Sequence, residues 1–507
     1  MIWPVTRRQL LRAGGAGAVG VGLAGVAGCS TLSTSGVSTP QSFEVPLPIP
    51  PVEHGRMTGG LRTFALRAQE GTWQFRPGQG PSTPPASTWG FNGPYGGPTL
   101  RANVGDRVAI EVRNDLPEST TTHWHGMHLP AEMDGGPHQM IAAGDMWRAE
   151  WRIDQAPCSL WYHPHPHGRT ERHVYRGLAG MFWLDDPEDP VAEQLPHTYG
   201  VDDIPVVIAD KSFDDSGELI IDDGGNEVGF LGDLVTANGV AGARFDVTSE
   251  LVRLRILNAS TARTYSLGLT DRQVQMIASD GGMLRAPVRL DRVRLSPAER
   301  AEILVRMEPG EELMLHSFEP DLGDVAVPFA VGANDSFDVL RLVADQTLSP
   351  SSAAPKQLAE FGLDPGGAAV RREFRLAGRQ INGRRMDMSR IDTTVTVDTT
   401  EIWTAINDDV FPHNFHVHDV QFEVLSVDGA EPGPELRGRK DTVYLEPGKP
   451  VELLMRFTDY TDAQIPYMYH CHLLRHEDEG LMAQFVVVAP GEEADPSMIA
   501  AQAHGRH

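Results

Sequence analysis

The chain has 507 residues, with 43 Lys and Arg against 69 Asp and Glu, for a formal net charge of −26. That balance argues against a nucleic-acid partner, suits attraction of metal cations, and for most of these charges means plain solubility. The length calls for more than one domain, and three cysteines are too few for a disulfide framework.

In chain order, Thr6-Arg7-Arg8-Gln9-Leu10-Leu11 resembles a twin-arginine export signal. The Gly/Ala/Val-rich stretch that follows to Ala27 is too short and too weakly apolar to read as a membrane span. Val26-Ala27-Gly28-Cys29 resembles a bacterial lipobox, in which Cys29 becomes the lipidated first residue of the mature chain; the alternative is a plain cleavage site with an incidental cysteine. Residues 1–29 are therefore expected to engage the export machinery and to give a periplasmic or cell-envelope location, with the membrane touched through the lipid anchor only. The Ser/Thr/Pro-rich residues 30–51 read as a tether.

Beyond it, 52 glycines and 38 prolines punctuate short apolar or alternating runs such as 107–112, 251–257 and 451–457, which have strand character; helical periodicity is scarce. Related turns recur at domain-scale intervals, around Val104-Gly105-Asp106, Leu295-Ser296-Pro297 and Glu446-Pro447-Gly448. The expectation is all-β: three sandwiches over residues 52–190, 191–344 and 368–490, with a Ser/Ala/Pro/Gly-rich linker at 345–367 and a tail at 491–507. Cys158 reads as a buried small residue.

Four histidine clusters carry the chemistry: His123-Trp124-His125, His163-Pro164-His165, His413-Asn414-Phe415-His416-Val417-His418 and His470-Cys471-His472 with His476. In a strand, alternate side chains share a face. His416 and His418 then lie opposite His413, and His470 and His472 lie opposite Cys471. A thiolate with two imidazoles is the soft trigonal set that suits an electron-transfer copper, and Cys471, His413 and His476 supply it. Eight imidazoles remain, enough to surround several ions.

These four segments resemble, in order and spacing, the copper-binding motifs of the multicopper oxidases. The resemblance implies cupredoxin-like Greek-key domains and four copper ions. His123 and His416 would hold the type 2 ion; His125, His163, His165, His418, His470 and His472 the type 3 pair; His413, Cys471 and His476 the type 1 ion. Ten residues after Cys471, the axial position that is methionine in some bacterial members is Leu481; Met482, one place on, falls on the other strand face. Asp134 and Glu477 match carboxylates that serve the trinuclear site as proton donors or relays, the alternative for each being a turn residue. Asp409, four before His413, could orient that imidazole. His54, His128, His138, His167, His173, His197, His316, His504 and His507 read as structural or solvated.

The implied activity is one-electron oxidation of a reducing substrate coupled to reduction of dioxygen to water. The donor stays open among phenols, aromatic amines, Cu(I), Fe(II) and Mn(II): only Met386 and Met388 form a close methionine pair near the third domain's start, Met133 and Met140 flank a first-domain loop, and Phe411 lies beside His413. A copper-binding resistance or storage protein and a copper-free scaffold are the rival readings.

Overall fold

The structure is a computed structural model that describes residues 42–77, 84–221 and 226–504. The export signal, Cys29 and His507 lie outside the described residues. The rest is an all-β chain of three sandwiches in which the first and third face each other through their histidines.

In the first sandwich, one sheet runs in the order Val52–Glu53, Thr99–Asn103, Gly180–Asp185, Cys158–His163, His123–His125. The facing sheet holds Arg56–Thr58, Leu61–Trp73, Arg107–Asn114 and Met146–Arg152, with Ala86–Phe91 paired to Leu61–Trp73. The period-2 pattern expected at 107–112 delivers Val108, Ile110 and Val112 to a core shared with Trp124, Leu160 and Phe182. Cys158 is buried in the same core, where burial pushes its thiol up to about 12.

The second sandwich packs two six-stranded sheets, one containing Leu251–Asn258 beside Arg300–Arg306 and the other Ala243–Ser249 beside Phe337–Ser349. It corrects two expectations. Residues 42–51 are not tether: Val45–Pro46 pairs in parallel with Ala243 and Arg244, and Phe43 and Leu47 are buried. Proline-rich composition suggested a loop, but an edge strand tolerates proline because its outer N–H groups need no partner. The linker expected at 345–367 begins later, since Phe337–Ser349 stays in the sheet, and Leu358 is buried against Leu195, Leu251, Ile277 and Leu304.

The third sandwich sets Gln380–Ile381, Val370–Ala377, Thr400–Asn407, Pro450–Arg456, Phe422–Val427 and Arg439–Lys440 against Thr393–Thr396, Met482–Val488, Tyr467–His470, His413–Val417 and Thr442–Leu445. Its tail is not featureless: Ser497–His504 is helical and Ile499 is buried. Two short helices lock the third sandwich onto the first. The Asp478 carboxylate, in Leu474–Asp478, accepts the Thr170 and Glu171 N–H groups at 2.8 and 2.9 Å and so caps the helix Thr170–Arg176. Arg475 pairs with Glu171 at 2.9 Å. These contacts fix the segment between His472 and His476 against the first domain.

Candidate metal centres

Strand register aims the first set of imidazoles. In the antiparallel pair of Cys158–His163 with His123–His125, His163 stands opposite His123; directly opposed residues share a face. In the third sandwich His416 stands opposite His470 in the same way. The two faces meet, and eight histidines converge with side chains no more than 1% exposed. They group as His125, His163 and His472; His165, His418 and His470; and His123, His125 and His416, each set with its ligand atoms within 4.8 Å. The inner nitrogens face one another closely: His163 Nε2 to His472 Nε2 at 3.3 Å, His165 Nε2 to His470 Nε2 at 3.2 Å, and His418 Nε2 to His470 Nε2 at 3.3 Å.

Six of the eight outer nitrogens are hydrogen-bonded, whereas those of His165 and His472 make no hydrogen bond among the described residues. Nδ1 of His123 donates to the Asp134 carbonyl at 2.9 Å, that of His163 to the Pro164 carbonyl at 2.8 Å and that of His416 to the Asp441 carbonyl at 2.8 Å. His418 Nδ1 donates to Asp134 Oδ2 at 2.8 Å. His125 is reversed: its Nε2 donates to Asp441 Oδ1 at 3.0 Å, leaving Nδ1 without a protein partner. His123 Nε2 and His416 Nε2 are likewise buried and unpartnered. Buried polar atoms are almost always bonded, and imidazoles fixed on the outer nitrogen with the inner one free are the arrangement of metal-binding histidines. Burial, reinforced by neighbouring imidazoles, holds His165, His416 and His418 well below the usual range, and burial brings His470 to about 3. These four are then neutral, with a lone pair available. The donor set fits copper.

Asp134 and Glu477 sit symmetrically about this cluster. Asp134 reaches His418 Nδ1 at 2.8 Å and His123 Nδ1 at 3.3 Å; Glu477 reaches His165 Nδ1 at 3.2 Å and His470 Nδ1 at 3.3 Å. Each carboxylate therefore straddles one histidine from the first sandwich and one from the third. Burial raises the Glu477 carboxyl well above its usual range.

The second centre lies within the third sandwich. Cys471 Sγ is 3.5 Å from His413 Nδ1 and 3.6 Å from His476 Nδ1, and those two nitrogens are 2.9 Å apart. All three residues are fully buried, and burial pushes the thiol up to about 12. Only a bound cation would favour its thiolate there. His476 Nε2 donates to the Glu227 carbonyl at 2.9 Å, and His413 Nε2 lies 3.5 Å from Asp409 Oδ2. Leu481 is buried in the same apolar cluster as Cys471 and accepts its N–H at 3.1 Å. Met482 stands opposite His470 in an antiparallel pair and so shares the imidazole face, away from the thiol.

Strand parity explains only part of this. The extended segment ends at His470, so Cys471 and His472 lie in irregular backbone leading to the helix Leu474–Asp478. What separates them is Asn414, whose Oδ1 accepts the His472 N–H at 2.5 Å and lies 3.6 Å from Cys471 Sγ. Asn414, Asp441 and Arg300 adjoin these side chains, and no spacing in the sequence marked them. The one local signal was Arg439-Lys440-Asp441-Thr442, polar residues opening a strand that leads inward. The histidines set aside are elsewhere: His167 is exposed before the turn at Gly168, His128 bonds Asp419 and Asp459, and His173 bonds Thr120 and Glu118.

Comparison with known proteins agrees with this architecture. Multicopper oxidase family models match residues 73–189 and 352–491. The chain is 34% identical over 446 residues to multicopper oxidase mco of Staphylococcus haemolyticus, spanning 86% of this chain and 90% of that protein. It is 35% identical over 494 residues to cell division protein FtsP of Escherichia coli K12, spanning 95% and 99%. Among solved structures it resembles the bacterial laccase-like multicopper oxidase CueO of Ochrobactrum sp. (TM-score 0.79, 34% identity, 87% and 100% covered) and a multicopper oxidase of Pediococcus acidilactici (TM-score 0.78, 32%, 89% and 93%). The three sandwiches are thus cupredoxin-like, and the chain belongs to the multicopper oxidase family.

Proposed function

We propose that the protein is a copper-dependent oxidase that takes single electrons from a reducing substrate and delivers them to dioxygen, forming water. The observation that carries this reading is the covalent continuity of the two centres: Cys471 faces His413 and His476, while its chain neighbours His470 and His472 face the eight-imidazole cluster. His413, Cys471 and His476 would hold the type 1 ion, His123 and His416 the type 2 ion, and His125, His163, His165, His418, His470 and His472 the type 3 pair. When bound, copper supplies the one-electron redox steps and the binding of dioxygen. The chain supplies the rest. The Cys471 peptide links entry to cluster, the buried outer hydrogen bonds fix the imidazoles, and Asp134 and Glu477 are placed to hold and pass the protons that water formation consumes. Asp409 orients His413.

The reading includes export by residues 1–29 with lipid attachment at Cys29, and a periplasmic or envelope location. Its partners are dioxygen and a small organic or metal-ion donor, with no nucleic acid. The similarity to FtsP keeps a scaffold role in view, but a scaffold has no use for a complete ligand set. Copper content together with dioxygen consumption separates oxidase, storage protein and scaffold: the oxidase binds copper and consumes dioxygen with turnover, storage binds without turnover, and a scaffold does neither. Specificity constants for Cu(I), Fe(II), Mn(II) and a dimethoxyphenol, measured side by side, then fix the donor class.

The axial position gives a separate test. Leucine offers no lone pair, so the type 1 ion would keep three strong ligands, which favours the reduced state. Leu481→Met should lower the type 1 reduction potential in a redox titration. A potential that stays the same or rises would contradict the assignment of Leu481 to that position.

A further inference from the structure

The middle sandwich contributes none of the eleven residues assigned to copper, yet one of its side chains reaches the back of the cluster. Arg300 is fully buried, and its guanidinium has five N–H donors. Each finds an acceptor: Nε gives to the Ser159 carbonyl at 3.0 Å, Nη1 to the Ala298 carbonyl at 3.1 Å and to Asp441 Oδ1 at 2.8 Å, and Nη2 to the Asp280 carbonyl at 3.1 Å and to Asp441 Oδ2 at 2.6 Å. Ser159 lies in the first sandwich, on the strand that ends at His163. Ala298 and Asp280 lie in the second, and Asp441 in the third. One planar group therefore registers all three domains.

The acceptor it clamps is the one that orients two imidazoles. Asp441 receives His125 Nε2 on Oδ1 at 3.0 Å and His416 Nδ1 on its carbonyl at 2.8 Å, and the two rings stack with centroids 3.8 Å apart. Residues 440–442 are pinned from the second sandwich on both sides of Asp441: Lys440 Nζ bonds Asp280 at 2.9 Å and Glu299 at 3.0 Å, the Thr442 N–H lies 3.4 Å from Asp280 Oδ2, and the Arg300 N–H holds that carboxylate by donating to Oδ1 at 2.8 Å. Gly126, directly after His125, leaves room for the pair. It has φ +82°, and a Cβ there would lie 2.4 Å from Asp441 Oδ2 and 3.0 Å from Arg300 Nη2.

We propose that Arg300 is a positioning residue for the trinuclear site: by holding the Asp441 carboxylate in a two-point grip, it keeps His125 turned with Nδ1 toward the cluster and stacked on His416. This rests on the reading of the eight imidazoles as copper ligands. It gives the ligand-free middle domain a defined task, that of setting the type 2 and type 3 geometry from behind. Lysine can replace it only in part, since an ammonium has three donors and no fork.

The test uses the full exported chain, loaded with copper, in wild type and in Arg300→Lys, Arg300→Met and Gly126→Ala forms. Copper per chain, the type 2 electron paramagnetic resonance signal and the blue absorption of the Cys471 centre are read together. The blue centre lies wholly in the third sandwich and serves as the folding control. Arg300→Met and Gly126→Ala should keep the blue absorption while losing at least half of the remaining copper or shifting the type 2 signal, and Arg300→Lys should fall between them and wild type. Full copper with an unchanged type 2 signal in the variants would overturn the proposal. So would parallel loss of blue and cluster copper in all of them, which is the mark of general unfolding. If Arg300→Met does not fold, Arg300→Lys and Gly126→Ala decide by the same criteria. A wild type that takes up no copper overturns the functional reading and this one with it, whereas a fully loaded wild type beside unaffected variants overturns this one alone.

Discussion

Cys471→Ser should abolish the blue absorption and cut oxidation of any donor at least roughly a thousandfold, about 4 kcal/mol of barrier. The reason lies in the site. Cys471 is fully buried with two imidazole nitrogens at 3.5 and 3.6 Å, and no cationic side chain bonds its sulfur. A soft thiolate is the ligand that makes this trio suit an electron-transfer copper, and a hydroxyl, far less acidic, would stay protonated and bind weakly. The substitution leaves the eight imidazoles in place, so the cluster should still take up copper. Cys158→Ser is the matched control. That thiol is also buried but has Gln155 as its polar neighbour at 3.7 Å; its replacement buries a hydroxyl and costs about 1–3 kcal/mol of stability, but colour and rate per copper-loaded chain should stay within a factor of about two. Blue colour or more than a tenth of the turnover surviving in Cys471→Ser would refute the electron path.

Gly135→Ala should be among the most damaging small substitutions in the chain. Gly135 has φ +76°, where a side chain costs about 1 kcal/mol, and its Cβ would lie 1.8 Å from the Thr122 carbonyl oxygen and 2.9 Å from the His123 Cα. Both obstacles are backbone, so no rotamer change relieves them. The loop would have to move off the strand, breaking the bond from His123 Nδ1 to the Asp134 carbonyl and shifting the Asp134 carboxylate from His418. Overpacking of this kind costs about 1–3 kcal/mol or more, and the movement is at the cluster itself. Thermal unfolding should drop by roughly 5 °C or more, with copper lost from the cluster. Gly136→Ala provides the contrast: its Cβ would meet only side-chain atoms, Asp134 Oδ2 at 3.2 Å and Gln139 Oε1 at 3.7 Å, and the loss should be under about 1 kcal/mol. Equal stability and copper content in the two variants would contradict this account of the loop.

The candidate ligands were legible because metal ligands come in short local patterns. Strand parity sorts the side chains where strands run through the motif, at His123–His125 and His413–Val417, and ends at His470, where irregular backbone held by Asn414 takes over. Asp441 and Arg300 were not legible. Their roles arise from bonds spanning 316 positions to His125 and 141 positions between themselves, which no local spacing encodes. The edge strand at Val45–Pro46 was hidden for the opposite reason: its proline-rich composition matches a tether, and only the burial of Phe43 and Leu47 against a distant sandwich shows otherwise. The all-β architecture was readable from alternation at residues such as Val108, Ile110 and Val112, and the resemblance placed the cluster between the first and third domains, whereas the reach of the second sandwich to the cluster through Arg300 was not readable.

On the proposed function, one short segment joins an electron-entry copper to a dioxygen-reducing cluster. The most direct test of that link is anaerobic reduction of the copper-loaded protein by a one-electron donor, followed by admission of dioxygen while the blue absorption is recorded. The colour should bleach on reduction and return with dioxygen in wild type, and a cluster-disabled His470→Ala, His472→Ala form should still bleach but not recover its colour at the wild-type rate. Reoxidation at the wild-type rate in that form would show that electrons leave the Cys471 centre by another route, and would contradict it.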